Sequence, residues 1–335
     1  MTKRGNNEDP PGPHQERYKM LRQKITVTPL VFALFLLTAF PLFADEPVKA
    51  NWNMRDHIPC SDVSVFVHRG AGDLAPENAF PSLVFTWNLK GCAGTPEVDI
   101  RTTKDGVLAM FHDGNFKRIL PNAPQEIQEK RLEDLTWEEA QELDIGAFRG
   151  EEFKGQKIVS LDEICQALRE DPNRKVLIDV KSVDFAQLAK ETEGLHSQVI
   201  LATGQYKDVV KWKEVAPDSE DLFWMGLGAG EDVVGPIIEQ LKKDHFACVD
   251  RMQIHVHFND DGSTRPSEPF LIETLNYIHE NYPNIEVQLM PWDLHSRETV
   301  GHYKRLADLG AAGFGTDRPD ICFEAMKQYY EEAAK

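Results

Sequence analysis

Several features that would place a chain quickly are missing from this sequence. Its five cysteines, at 60, 92, 165, 248 and 322, include no Cys-x-x-Cys pair and no metal-like spacing, which excludes a cysteine-built zinc site and a disulfide scaffold. Five is odd, and in an oxidising compartment one bridge is possible, with Cys60 and Cys92 the nearest pair in sequence. Basic residues are scarce, 37 against 55 acidic, for a net charge of -18. That balance excludes a nucleic-acid or anionic-membrane surface, and any phosphate the protein handles must be met by cations recruited locally. Within residues 63–335 no linker rich in Pro, Gly or Ser separates two domains.

The apolar run at 30–43, LVFALFLLTAFPLF, is fourteen residues long, short of the roughly 20 that a membrane span needs. With Arg22 and Lys24 before it and Ala44-Asp45 after it, it reads as the core of a secretory signal over residues 1–44. The region before it is long for a signal, and Met20 would open a more ordinary one. Export to a periplasmic or extracellular location, without stable membrane insertion after signal removal, is the expectation, with 45–62 as an N-terminal extension.

From residue 63 the chain alternates short β-rich runs with helical patterns. Strands are expected at 63–68, 96–101, 175–181, 198–203, 222–227, 251–256, 285–290 and 311–316, with a short extra strand at 107–112. Helices are expected at 78–90, 184–194, 206–215, 231–243, 268–281, 296–309 and 320–333. This rhythm predicts parallel strands covered by helices, and eight such units predict an α/β fold of the (β/α)8 TIM-barrel class over 63–335, with an insertion at 113–174 after the second strand.

In such a barrel the strands' C-terminal ends carry the chemistry. His68-Arg69 ends the first strand, and Gly70 and Gly72 follow. Glu97 and Asp99 lie two apart on the second strand and so share a face, where two like charges repel unless a cation sits between them. A TKDG turn at 103–106 leads back to His112-Asp113, and Asp179 and Lys181 repeat the two-residue spacing on the third strand. Taken singly, His68 reads equally as a hydrogen-bonded structural histidine, and Glu97 and Asp99 as salt-bridge partners of Arg101 or Lys104. Their clustering at the ends of strands one to three favours a site. His255 and His257, two apart on the sixth strand, would with His295 make a second metal site or shape the pocket.

The ordered set His68-Arg69-Gly70, Pro76-Glu77-Asn78, Glu97-Val98-Asp99, TTKDG, His112-Asp113 with Arg118, LIDVK and the closing GFGTDRPD (313–320) resembles the glycerophosphodiester phosphodiesterase family over about residues 63–325. The family commonly has Glu where this chain has Asp179, and Trp-Thr-Val-Asn where it has Trp292-Asp293-Leu294-His295. The resemblance implies metal-assisted hydrolysis of a glycerophosphodiester to an alcohol and glycerol phosphate. Glu97, Asp99 and Asp179 would hold one divalent cation, and all-oxygen ligation points to Ca²⁺ or Mg²⁺. Arg69 and Lys181 would neutralise the phosphate, Glu77 would position Arg69 or a substrate hydroxyl, Trp292 would wall the alcohol, and Asn78 would cap the helix that follows. His68 would act as base and His112 as acid, with the substrate's own glycerol hydroxyl attacking first. The rival readings are a phospholipase-D-like lyase, a phospholipid-cleaving enzyme, and a binding protein without turnover.

Overall fold

The computed structural model describes residues 48–292 and 297–333, so the expected signal, Asp293, Leu294 and His295 lie outside the described residues. Ten strands run through them: β1 (Ser64–Val67), β2 (Ala93–Thr102), β3 (Leu108–Met110), β4 (Val176–Ser182), β5 (Val199–Thr203), β6 (Glu220–Met225), β7 (Arg251–Phe258), β8 (Thr264–Arg265), β9 (Glu286–Trp292) and β10 (Gly313–Thr316). β1, β2, β4, β5, β6, β7, β9 and β10 pair in that order, all parallel, and β10 pairs back onto β1. The barrel is closed, as the alternation of strand and helix predicted. β3 and β8 are short antiparallel returns on β2 and β7.

Period-two alternation decides what each strand shows to either side. Val65 and Val67 pack outward in the layer shared with the helices, whereas Phe66 joins Leu177, Ile200, Ala202 and Leu222 in a separate apolar cluster filling the lumen. Val98, Ile100 and Ile178 likewise pack outward, which sends Glu97, Asp99 and Asp179 inward. Burying each aliphatic of this kind is worth about 1.5–3 kcal/mol, enough to fix the register and with it the inward direction of three carboxylates. At the N-terminal end of the lumen Arg251 is clamped between Glu220 and Glu286 and lies over the Phe66 ring. Chemistry is thereby confined to the opposite end.

The segment 113–174, expected as an insertion, supplies one of the barrel's own helices. Helix Leu161–Glu170 opens with a capping box, the Ser160 hydroxyl accepting from the Glu163 N–H while the Glu163 carboxylate accepts from the Ser160 N–H. Its Ile164, Cys165 and Leu168 pack with Leu83, Val98, Ile100 and Val176. The preceding residues form a lobe with its own small core, including Phe111, Phe116, Ile119, Leu132, Leu135 and Ile158.

The described part of the extension packs against helices Glu268–Asn281 and Pro319–Ala333. Trp52 stacks on His279 at 4.1 Å, Asn53 Nδ2 donates to the Tyr329 hydroxyl at 2.9 Å, and the Tyr330 hydroxyl donates to the Ile58 carbonyl at 2.6 Å. All five cysteines are free thiols, so the Cys60–Cys92 bridge is not formed, although the two thiols lie against each other. Among the described residues no helix is long and apolar enough to cross a membrane.

Candidate active site

β1 ends in an abrupt turn. The His68 N–H donates to the Thr316 carbonyl at 3.0 Å, Arg69 takes a left-handed φ of 51°, and Gly70 and Gly72 follow with φ of 96° and 58°. A Cβ on Gly72 would lie 2.1 Å from the Asp317 carbonyl oxygen. The same carbonyl accepts from the Asp73 N–H at 2.8 Å, so the loops after the first and last barrel strands are locked together. Gly72→Ala is therefore expected to cost at least about 2 kcal/mol, seen as a lower Tm, and to reduce turnover by displacing Asp317. An unchanged Tm would show that the two loops can part freely.

That lock seats a residue sequence reasoning did not single out. Asp317 Oδ1 lies 2.7 Å from His68 Nδ1, which leaves Nε2 for the cavity. Burial disfavours the imidazolium, but the charge and hydrogen bond of Asp317, helped by Glu97, outweigh it and hold the His68 pKa up at about 9. Asp317 is seated in turn by Glu298, whose buried carboxylate accepts from the backbone N–H groups of Asp317 and Arg318 and from the hydroxyls of Thr316 and Tyr303. His112 is oriented in the same way: its Nδ1 lies 2.7 Å from Asp113 Oδ1, and its carbonyl accepts from Arg101 at 2.9 and 3.1 Å. Arg101 therefore holds the His112 backbone and gives its remaining bond to Glu133 at 2.9 Å rather than to Glu97 or Asp99.

Glu97, Asp99 and Asp179 converge, each offering an oxygen within 4.8 Å of the others. Burial, then the Asp99 charge, pushes the Glu97 pKa up to about 8. Burial also opposes charge on Asp99, but Lys181, followed by His112 and Arg69, holds it below the usual range; Asp179 is raised, chiefly by burial. Lys181 Nζ sits 3.0 Å from Asp99 and 2.5 Å from Asp179. A buried all-oxygen triad that already draws in an ammonium has the donor set a hard divalent cation requires, so the residues fit such an ion. Asn78, expected to cap a helix, instead takes a left-handed φ of 52° and bonds Asp99 twice, its Nδ2 donating at 2.8 Å and its Oδ1 accepting the Asp99 N–H at 2.9 Å. Ala79 takes the capping position and makes no side-chain cap bond.

Arg69 and Arg118 both grip Glu77. Arg69 Nη1 lies 3.1 Å from each Glu77 oxygen, and Arg118 donates to the same carboxylate at 2.6 and 2.7 Å and to Asp113 at 2.9 Å. Glu77 thus positions Arg69, whose backbone N–H also donates to Glu97 at 2.6 Å. The Arg69 Nε is buried without a hydrogen-bond partner.

Two adjoining cavities share His68, Arg69 and Trp292. The inner one, about 350 Å³, is bounded by His112, Glu97, Asp179, Lys181 and an apolar wall that includes Leu222, Trp224 and Met290. The outer one, about 510 Å³, is bounded by Glu77, Arg118, Phe148, Arg149 and Asp317. Trp292 walls both, and Trp224, absent from the sequence-based candidates, donates its Nε1 to Asp179 at 3.3 Å. His255 is sandwiched between Trp292 at 4.4 Å and Trp224 at 5.6 Å, and burial pushes its pKa down to about 3. Among the described residues the carboxylate triad is the single grouping with metal-ligand convergence; His255 lines the inner cavity, His257 lines neither cavity, and His295 lies outside those residues.

Comparisons with known proteins agree with this geometry. Residues 68–219 match the glycerophosphoryl diester phosphodiesterase family model. A glycerophosphodiester phosphodiesterase of Caldanaerobacter subterraneus subsp. tengcongensis is 24% identical over 273 residues, covering 79% of this chain and 98% of that protein. Glycerophosphodiester phosphodiesterase 1 of Mus musculus is 32% identical over 164 residues, 48% of this chain and 46% of that protein. Among solved structures, a glycerophosphodiester phosphodiesterase from Agrobacterium tumefaciens aligns with a TM-score of 0.57 at 20% identity, over 78% of this chain and 99% of that one. An Oleispira antarctica phosphodiesterase in complex with the product sn-glycerol-3-phosphate aligns with a TM-score of 0.58 at 17% identity, over 79% and 96%. At these identities the structural matches speak for the shared barrel.

Proposed function

Because this chain belongs to the glycerophosphodiester phosphodiesterase family, we propose that it hydrolyses glycerophosphodiesters to glycerol phosphate and an alcohol, using His68 and His112 as the proton-transfer pair. The observation that carries this reading is that both histidines have Nδ1 held by a carboxylate and border a cavity with a carboxylate triad, Arg69 and Lys181.

Glu97, Asp99 and Asp179 would hold a divalent cation, which would supply positive charge to offset that of the phosphate. Arg69, clamped through Nη1 by Glu77, keeps Nη2 for the same phosphate, and Lys181 adds a second fixed charge. One substrate glycerol hydroxyl attacks phosphorus and gives up its proton to one histidine. The bond to the leaving alcohol breaks, and the second histidine protonates that oxygen. Water then opens the resulting cyclic phosphate with the two roles reversed. An internal hydroxyl is already in place, which spares the entropy of recruiting water for the first step. The family resemblance assigns base to His68 and acid to His112.

The protein from Asp45 onward, assayed for alcohol and glycerol phosphate release from a set of glycerophosphodiesters with Ca²⁺, Mg²⁺ or EDTA, is expected to turn over with a cation and to stop with EDTA. Equal turnover in EDTA would sink the metal assignment, and cyclic phosphate as the sole product would replace hydrolysis by the lyase reading. Export belongs to the same proposal, resting on the sequence of residues 1–44; an exported protein whose N-terminus is Asp45 would support it.

A further inference from the structure

We propose that the outer cavity is the leaving-group subsite and that Arg149 makes it selective for an alcohol carrying an anionic group. The proposal rests on the phosphodiesterase reading above. The inner cavity is lined by Glu97 and Asp179 of the triad, Lys181 and His112, so the phosphate and glycerol belong there. The outer cavity meets it at His68, Arg69 and Trp292, and is where the remaining substituent on phosphorus has room.

Which alcohol it suits follows from the bonding capacity its lining has left. Each carboxylate around it is engaged through at least one oxygen. Asp317 holds His68, Glu77 holds Arg69 and Arg118, and Asp73 accepts from Arg149 at 3.1 Å. The aromatic faces are partly taken as well, since Trp292 lies flat on His255 and the Arg149 guanidinium carbon stands 5.8 Å from the Phe148 ring centre. A quaternary ammonium therefore meets no open aromatic cage.

Donors are in the opposite condition. Arg118 spends Nε, Nη1 and Nη2 on Glu77 and Asp113. Arg149 uses Nη2 alone, on Asp73 and the Gly72 carbonyl, and its Nε and Nη1 have no hydrogen-bond partner among the described residues. Arg149 lines the cavity, and its side chain is 31% exposed. A spare N–H on a fixed planar cation gives a carboxylate a charge-assisted hydrogen bond.

Glycerophosphoserine and glycerophosphoethanolamine differ by one carboxylate and make the test. The protein is expected to show kcat/KM about tenfold higher for the serine ester, the scale of one added charge-assisted contact, and Arg149→Ala is expected to bring the ratio to about 1. Equal kcat/KM for the two esters, or a ratio that survives Arg149→Ala, overturns the proposal. Binding of the same two esters to His112→Ala and to His112→Ala/Arg149→Ala, by calorimetry in Mg²⁺, reads the discrimination without turnover. Equal affinities in the first variant overturn the subsite even if the phosphodiesterase reading itself fails, whereas serine-ester preference with no turnover by the unmutated protein removes only that reading.

Discussion

Asp99→Asn should abolish tight divalent-cation binding and lower kcat/KM by at least about a thousandfold, the scale of losing a preorganised charge contact in a dry site. Asp99 is 1% exposed and is the most connected carboxylate of the triad. It accepts from Asn78 on one oxygen, faces Lys181 at 3.0 Å on the other, and stands 4.0 Å from the Arg69 Nε. An asparagine keeps the shape but offers one acceptor oxygen to two donors, so either Asn78 or Lys181 must face an NH₂ group. That mismatch costs about 1–3 kcal/mol of stability, small beside the expected loss of function. Calorimetric titration with Ca²⁺ and with Mg²⁺, paired with a melting curve, separates the two effects. A folded variant that binds either cation as tightly as the parent would remove Asp99 from the ligand set.

What the sequence made legible is what depends on local period. Two-residue spacing put Glu97 and Asp99, and then Asp179 and Lys181, on common faces, and closure of the barrel did the rest. The pairing of His68 with Asp317 spans the chain and exists only because β10 closes onto β1; even so, Asp317 follows the last expected strand, where a strand-end rule would have found it. Asn78 looked like a cap because an Asn before a helical pattern usually is one, but its left-handed backbone turns the amide to Asp99 instead. The Ser160-x-x-Glu163 capping box was present in the sequence and marks the helix that was folded into the insertion. Arg149 stands outside any regular element, so no periodicity could assign it to the site. His255 was placed on the right strand, but its role is set by indole rings from β6 and β9, the two strands that flank β7.

His68→Ala and His112→Ala should each lower kcat/KM by about 10²–10⁴, and the double variant should lose little more than the worse single one, because the two act in one proton relay. Asp317→Asn then decides how they share the work. With the carboxylate present the His68 pKa stands at about 9; without it burial remains and the counter-charge is gone, so the pKa must fall toward or below the ordinary value of about 6.5. A group with a raised pKa keeps its proton at neutral pH, so His68 as observed is a donor, and to act as base it must first release that proton. Positive charge at the triad works in that direction, because it cancels the Glu97 charge that helps hold the proton on. If His68 is the base, the acid limb of the kcat/KM profile moves to lower pH in Asp317→Asn, by about 2 units. If it is the acid, the alkaline limb moves down by a similar amount. A profile in which neither limb moves would take His68 out of the proton relay.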